Sequence, residues 1–382
     1  MMDPPNESAW CEISPAQISQ NLRHTLDRLP AQTRLCAVIK ADAYGHGIEN
    51  VVPALLAQGV RHIGISANSE ARAVRAAGFT GAILRLRTAT PEEVEDALSY
   101  NVQELIGSVG GMQAILNQLG ARGLPPVHLS LNAGGMSRDG VELSTQQGRT
   151  DCGRILELGA ERIVGLCTHF PSNSFDELAD NIARFQQDLA WVFANSSLRR
   201  EDILTHAGST LTLAAGQDPK VDMMRCGAIL FGIAGAGPEF RPAMQLKSRV
   251  ISLGTYPKGS TVGYDRTCVL PDDRLLASVA MGYANGYSRQ MSKGAQVLIR
   301  GQICPVMGAI SMNTLVVDVT EVPGVAIGDE VVAFGSQGGC EIGAAAIEGG
   351  SGTILADLFS DWGQRNPRLT KDPKDLVCGQ IV

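Results

Sequence analysis

One lysine stands at the end of an apolar run in "LCAVIKADAYGHG", residues 35–47. Leu35 to Ile39 reads as a buried strand, Lys40 ends it, and a loop of small residues carrying Tyr44 and His46 follows. The chemistry open to such a lysine is amine nucleophilicity. A free ammonium titrates near ~10.4, and desolvation with nearby cations lowers that value until the neutral amine can attack an aldehyde. Pyridoxal phosphate is the usual partner of a lysine used this way, an electron sink for a substrate carbon that must lose a proton. The cofactor requires a phosphate cup and a partner for its pyridine nitrogen. Candidates for the cup are the Tyr44 hydroxyl, "GST" with Ser209 and Thr210, and "RCGA" with Gly227 and Ala228. Arg225, just before that glycine turn, can face the ring nitrogen. Glycine loops let backbone N–H groups approach a phosphate, and a helix N-terminus serves capping and phosphate binding alike. His46 reads as a loop-fixing residue rather than a catalyst.

These residues need elements to aim them. From residue 35 to about 235, short apolar runs alternate with helical patterns. The strand candidates are "LCAVIK", "RHIGIS", "AILRLR", "QELIGS", "PVHLSLN", "IVGLCTH", "DILTHAG" and "MRCGAILFG". Asn68 and Thr90 stand at N-cap positions, the latter followed by Pro91. Strict alternation implies a parallel sheet, and eight strands fit a (β/α)8 barrel better than an open doubly wound sheet. Active-site residues of such a barrel come from the C-terminal ends of its strands. Those ends are Lys40, Arg85 or Arg87, Asn132, His169, His206 and Arg225. Past residue 240 the chain turns rich in Val, Thr and Gly, with the frequent turn signals of a compact all-β domain and one late helical segment, "GAAAIEGGSGTILADLFSDWG". The expected organisation is a barrel over residues 12–240 and a β-domain over 241–382, joined by residues 1–11.

The chain has 382 residues, a net charge of −7 and no basic cluster, which argues against nucleic-acid and anionic-membrane partners. No apolar stretch reaches the ~18 residues of a membrane span. Nine cysteines include no C-x-x-C pair, and most sit in apolar runs. The N-terminal "MMDPPNESAW" lacks the basic and apolar regions of a leader. The expected location is cytoplasmic, or periplasmic if a leader has been removed.

At these motifs the chain resembles the alanine racemase family. "AVIKADAYGHG" is similar to its pyridoxal-lysine signature, "THF" at 168–170 to its histidine motif, and "GYANGYSR" to its catalytic tyrosine motif. "MMRCGAILFG" extends the match over nearly the whole chain. The resemblance implies a pyridoxal-phosphate barrel with a β-domain, working as a head-to-tail homodimer on amino-acid substrates. Lys40 would hold the cofactor and act as one acid/base. Tyr283, from the partner subunit, would be the other, on the opposite face; outside this motif Tyr283 and Tyr287 would both read as packing residues. A free tyrosine titrates near ~10, so His169 and nearby arginines would assist it. His206 would contact the pyridine face and Arg225 its nitrogen. Arg138 resembles the arginine touching the cofactor and the substrate carboxylate, and Met312 the residue whose backbone N–H binds that carboxylate across the dimer.

The resemblance has departures. "LSLNAGGMSRDG" places Ser130 where many relatives carry a carbamylated lysine, so a chloride ion is expected beside Arg138. The "NAGGMSR" and "ISMNT" forms look more like the broad-specificity amino-acid racemases, which accept lysine and arginine. Phe359 lies closest to a tyrosine that contacts the phosphate in alanine-specific relatives. An alanine-specific racemase is the alternative. A decarboxylase of the same architecture is disfavoured, because those enzymes pair the ring nitrogen with a carboxylate; a cofactor-carrier barrel is disfavoured by the β-domain with Tyr283.

Overall fold

In the computed structural model, residues 6–136, 139–171, 174–233 and 237–370 are described. Among them are two compact units, one within residues 19–43 and 51–241, the other within residues 6–18, 44–50 and 242–370. Strands are numbered along the chain. β1 (Ala9–Ile13) belongs to the second unit. The next eight are β2 (Arg34–Val38), β3 (His62–Ile65), β4 (Ala82–Arg85), β5 (Val102–Ile106), β6 (Val127–Ser130), β7 (Ile163–Cys167), β8 (Leu204–His206) and β9 (Met223–Cys226). All eight pair in parallel and close as β2–β9, because β2 also pairs β9 with Ala37 opposite Cys226. Every sequence-read run therefore supplies a barrel strand. The last of them ends early: "AILF" forms a short 3-10 turn, Ala228–Phe231, after β9.

Amphipathic helices cover the barrel. In the helix Phe175–Ala194, Leu178, Phe185, Leu189 and Val192 recur on one face and are buried. Thr90 caps the helix Pro91–Ala97 as its type suggests, with Oγ1 accepting from Glu93 N–H. Asn68 does not cap. Ala67 holds the N-cap position of the helix Asn68–Ala76, and the carboxylate of Glu70 reaches back to the N–H groups of Ser66 and Ala67. Asn68 instead accepts from Arg85 and donates to the backbone of Glu93.

The second unit pairs its strands antiparallel, with one parallel exception. Its strands are β10 (Met244–Tyr256), β11 (Thr261–Val262), β12 (Cys268–Val269), β13 (Arg274–Val279), β14 (Gln296–Ile299), β15 (Gln302–Met307), β16 (Leu315–Asp318), β17 (Glu330–Gln337), β18 (Cys340–Ile342) and β19 (Arg368–Thr370). Nine strands, β1 included, share one sheet, and β10 pairs β1, β13 and β17. The exception is β1 and β19, which run parallel. The late helical segment is two helices, Ala344–Ser351 and Leu355–Arg365, parted at Gly352, whose φ is 73°. No helix among the described residues is long and apolar enough to cross a membrane.

Candidate active site

Lys40 does not end its strand. β2 stops at Val38, and Lys40 opens a turn in which Ala41, Asp42, Ala43 and Tyr44 have φ of 54°, 51°, 57° and 53°. With ψ near 50° over the first three, this is one turn of left-handed helix built without glycine, closed by Ala43 N–H to Ile39 C=O at 2.9 Å. Such a conformation costs about 1–2 kcal/mol per residue. Glu70, buried to 7% exposure, compensates. Its Oε1 accepts from Ala41 N–H at 2.6 Å, while Oε2 serves Ser66 and Ala67. One carboxylate thus ties the backbone behind Lys40 to a helix N-terminus. Sequence reasoning missed Glu70; its position at the third residue of a helix lacking an N-cap side chain was the available signal.

At the same C-terminal end of the parallel β2–β9 pairing, Arg225 lies buried near the end of β9. It donates to His206 Nδ1 at 2.7 Å and to the Thr168 carbonyl at 2.6 Å. His206, the last residue of β8, is fully buried, and burial first, then the Arg225 charge, holds its imidazole well below the usual range. His169 follows β7 and is half-buried.

Two of the three parts of the expected cup meet. Ser209 caps the short helix Thr210–Ala214 by accepting from Leu211 N–H, and Thr210 Oγ1 accepts from Ile229 N–H, in the turn containing Gly227 and Ala228. Each hydroxyl therefore keeps its own proton available to an acceptor. Gly208, at φ 78°, sets the approach.

Two strand-end residues are spent on structure. Arg85 is fully buried with Glu104, with Nε–Oε2 at 2.8 Å, and Asn132 donates to the Gly140 carbonyl. Ser130 donates to the Asp139 carbonyl at 2.8 Å. Arg138 lies outside the described residues. Burial lifts the barrel thiols Cys36 and Cys226 to about 12, leaving them inert at neutral pH.

In the second unit, the tyrosine and methionine motifs are pinned together. Tyr283 N–H donates to Ser311 C=O at 3.1 Å, and Ala284 N–H to Met312 C=O at 2.9 Å. A Cβ on Gly282 would sit 2.2 Å from the Ser311 oxygen, so this contact requires glycine. Tyr283 and Met312 are exposed at 36% and 54%, whereas Tyr287 is fully buried and donates to Gln296 C=O. Tyr283 borders a cavity of about 440 Å³ with Arg289, Asp357 and Asp361. His46 is a loop-fixing residue, its Nδ1 3.0 Å from the Tyr44 carbonyl. Phe359 is fully buried and packs on Phe334 at 5.4 Å between centroids.

Known proteins resemble this chain in sequence and fold. The profile described as alanine racemase, N-terminal domain, matches residues 13–235, and that of the C-terminal domain matches residues 243–370. A broad specificity amino-acid racemase from Pseudomonas putida is 42% identical over 370 residues, 96% of this chain and 90% of that protein. A lysine racemase from Proteus mirabilis is 38% identical over 368 residues, with 96% and 90% covered. The fold is that of the alanine racemase from Bartonella henselae with covalently bound pyridoxal phosphate, with a TM-score of 0.83 at 22% identity, covering 96% of this chain and all of that one. With both domains matched in order and two racemases aligned along almost its full length, the chain belongs to the alanine racemase family.

Proposed function

We propose that this protein is a broad-specificity amino-acid racemase that uses pyridoxal phosphate, Lys40 and Tyr283, and that accepts lysine and arginine as well as alanine. The donor set suits the cofactor: an amine on Lys40, hydroxyls on Tyr44, Ser209 and Thr210, and N–H groups at Gly227 and Ala228. Bound there, the group would withdraw electrons from the substrate and acidify its α-hydrogen. Lys40 would hold a proton on one face of the α-carbon and Tyr283 of a partner subunit on the other, since inversion needs a donor on each side. Met312 and Arg138 would hold the substrate carboxylate, with chloride beside Arg138. Exchanging chloride for gluconate should then weaken substrate binding; an unchanged KM would remove the ion from this account. His169 would lend positive charge or a hydrogen bond to the tyrosine.

Arg225 carries the choice of reaction. An arginine does not release its proton, so a ring nitrogen facing it stays unprotonated and the electron sink stays mild. That favours returning the proton to the same carbon over losing carbon dioxide. The names of the two relatives support the wider substrate range. Chiral chromatography after incubation with L-alanine, L-lysine and L-arginine tests the reading. Racemic product from all three is expected. D-alanine alone would make the enzyme alanine-specific, and diamines without D-isomers would make it a decarboxylase.

A further inference from the structure

The hydrogen bonds of Arg225 do not end at His206. His206 Nε2 lies 2.9 Å from His128 Nδ1, and His128 Nε2 lies 2.9 Å from Gln103 Oε1. A guanidinium can only donate, so His206 Nδ1 must accept and the ring's proton sits on Nε2. That proton points at His128 Nδ1, which leaves the proton of His128 on Nε2, facing the Gln103 carbonyl oxygen. Each link follows from the one before, and all run one way. Both rings are at most 1% exposed. Burial first, then the Arg225 charge, keeps both imidazoles neutral, with His128 down to about 3. A protonated ring would have no acceptor and would break the chain.

A second observation is independent of the bonds. The chain passes from β8 to β6 across β7, and the β7 residue paired with His128 is Gly165. A Cβ there would lie 2.0 Å from His128 Nδ1 and 2.7 Å from Cε1. Any side chain at 165 would displace the ring.

We propose that His128 and Gln103 are positioning residues for Arg225: they complete a one-way donor chain, Arg225 to His206 to His128 to Gln103, that fixes His206 as an acceptor and aims the guanidinium. This deepens the role given to Arg225 above, but the tautomers can be read whether or not Arg225 meets a ring nitrogen.

Long-range nitrogen–proton correlation spectra of the holoenzyme labelled with [15N]histidine test it. Both rings should show the Nε2–H tautomer and hold it through the usual imidazole range near ~6.5. Gln103→Leu should bring an Nδ1–H population into one of the rings and lower kcat about three- to tenfold, the worth of one hydrogen bond. KM should move less than about twofold, since no substrate contact changes. Gln103→Glu, which restores an acceptor, should recover both, and Gly165→Ala should behave like Gln103→Leu. An Nδ1–H tautomer at either ring of the wild type overturns the proposal, and that spectrum decides even if a variant fails to fold. So does a Gln103→Leu enzyme with unchanged tautomers and kcat.

Discussion

Arg225 keeps its proton at every pH the protein survives, and that permanence reaches the two histidines beside it. Burial is the first cause holding His128 and His206 below the ordinary imidazole value, with the Arg225 charge second. A ring that stays neutral when folded binds fewer protons than the same ring unfolded, so stability is lost as pH falls from about 6.5 toward about 3. Each ring contributes up to about 1.4 kcal/mol per pH unit in that window. Asp188 works in the opposite sense, because burial lifts its carboxyl to about 6 and the folded form takes up its proton first. Burial likewise lowers the His62 imidazole and raises the Glu104 carboxyl, so the share of His128 is read against a variant that lacks its ring. Denaturant titrations should show the wild type losing about 2 kcal/mol more than His128→Leu between about pH 7 and pH 5. Parallel losses in the two proteins would mean that His128 is not held neutral.

Among the elements, the eight barrel strands were legible as short apolar runs with helical patterns between them, because burial on both faces leaves a mark in composition. The Lys40 turn was not. Ala41, Asp42, Ala43 and Tyr44 have no common preference for left-handed backbone, and the group that holds them there, Glu70, is 29 residues from Ala41. Asn68 misled for the same reason: its type suits a cap, but its amide is engaged by Arg85 and Glu93 while a carboxylate two residues on takes the amides. The cup motifs, the Tyr283 loop and the Met312 loop were each legible as motifs; their joining by Thr210 to Ile229 and by Tyr283 to Ser311 was not, since neither is local in sequence. If Glu70 does offset the strained turn, Glu70→Ala should cost about 2–4 kcal/mol, the loss expected when several buried N–H groups lose their acceptor. Borohydride trapping followed by mass spectrometry should also find less cofactor on the Lys40 peptide. Wild-type stability and labelling in Glu70→Ala would show that the turn stands by itself.

For the whole molecule, the proposal that a partner's Tyr283 completes the site has a consequence in mixed assemblies. Lys40→Ala and Tyr283→Phe should each be nearly inactive alone. Unfolded together and refolded, half of the dimers would be mixed, and each mixed dimer would hold one doubly altered and one intact site. About a quarter of wild-type activity should return. No recovery would place Lys40 and Tyr283 of one site on the same chain.

In the proposed mechanism two different side chains serve opposite faces of one carbon, and exchange in heavy water separates them. In Tyr283→Phe, Lys40 should still replace the α-hydrogen of D-lysine by deuterium without inverting it, whereas L-lysine should keep its hydrogen. Mass spectrometry of each enantiomer over time reads both rates. Equal exchange from the two isomers in Tyr283→Phe, or full racemisation, would contradict the account.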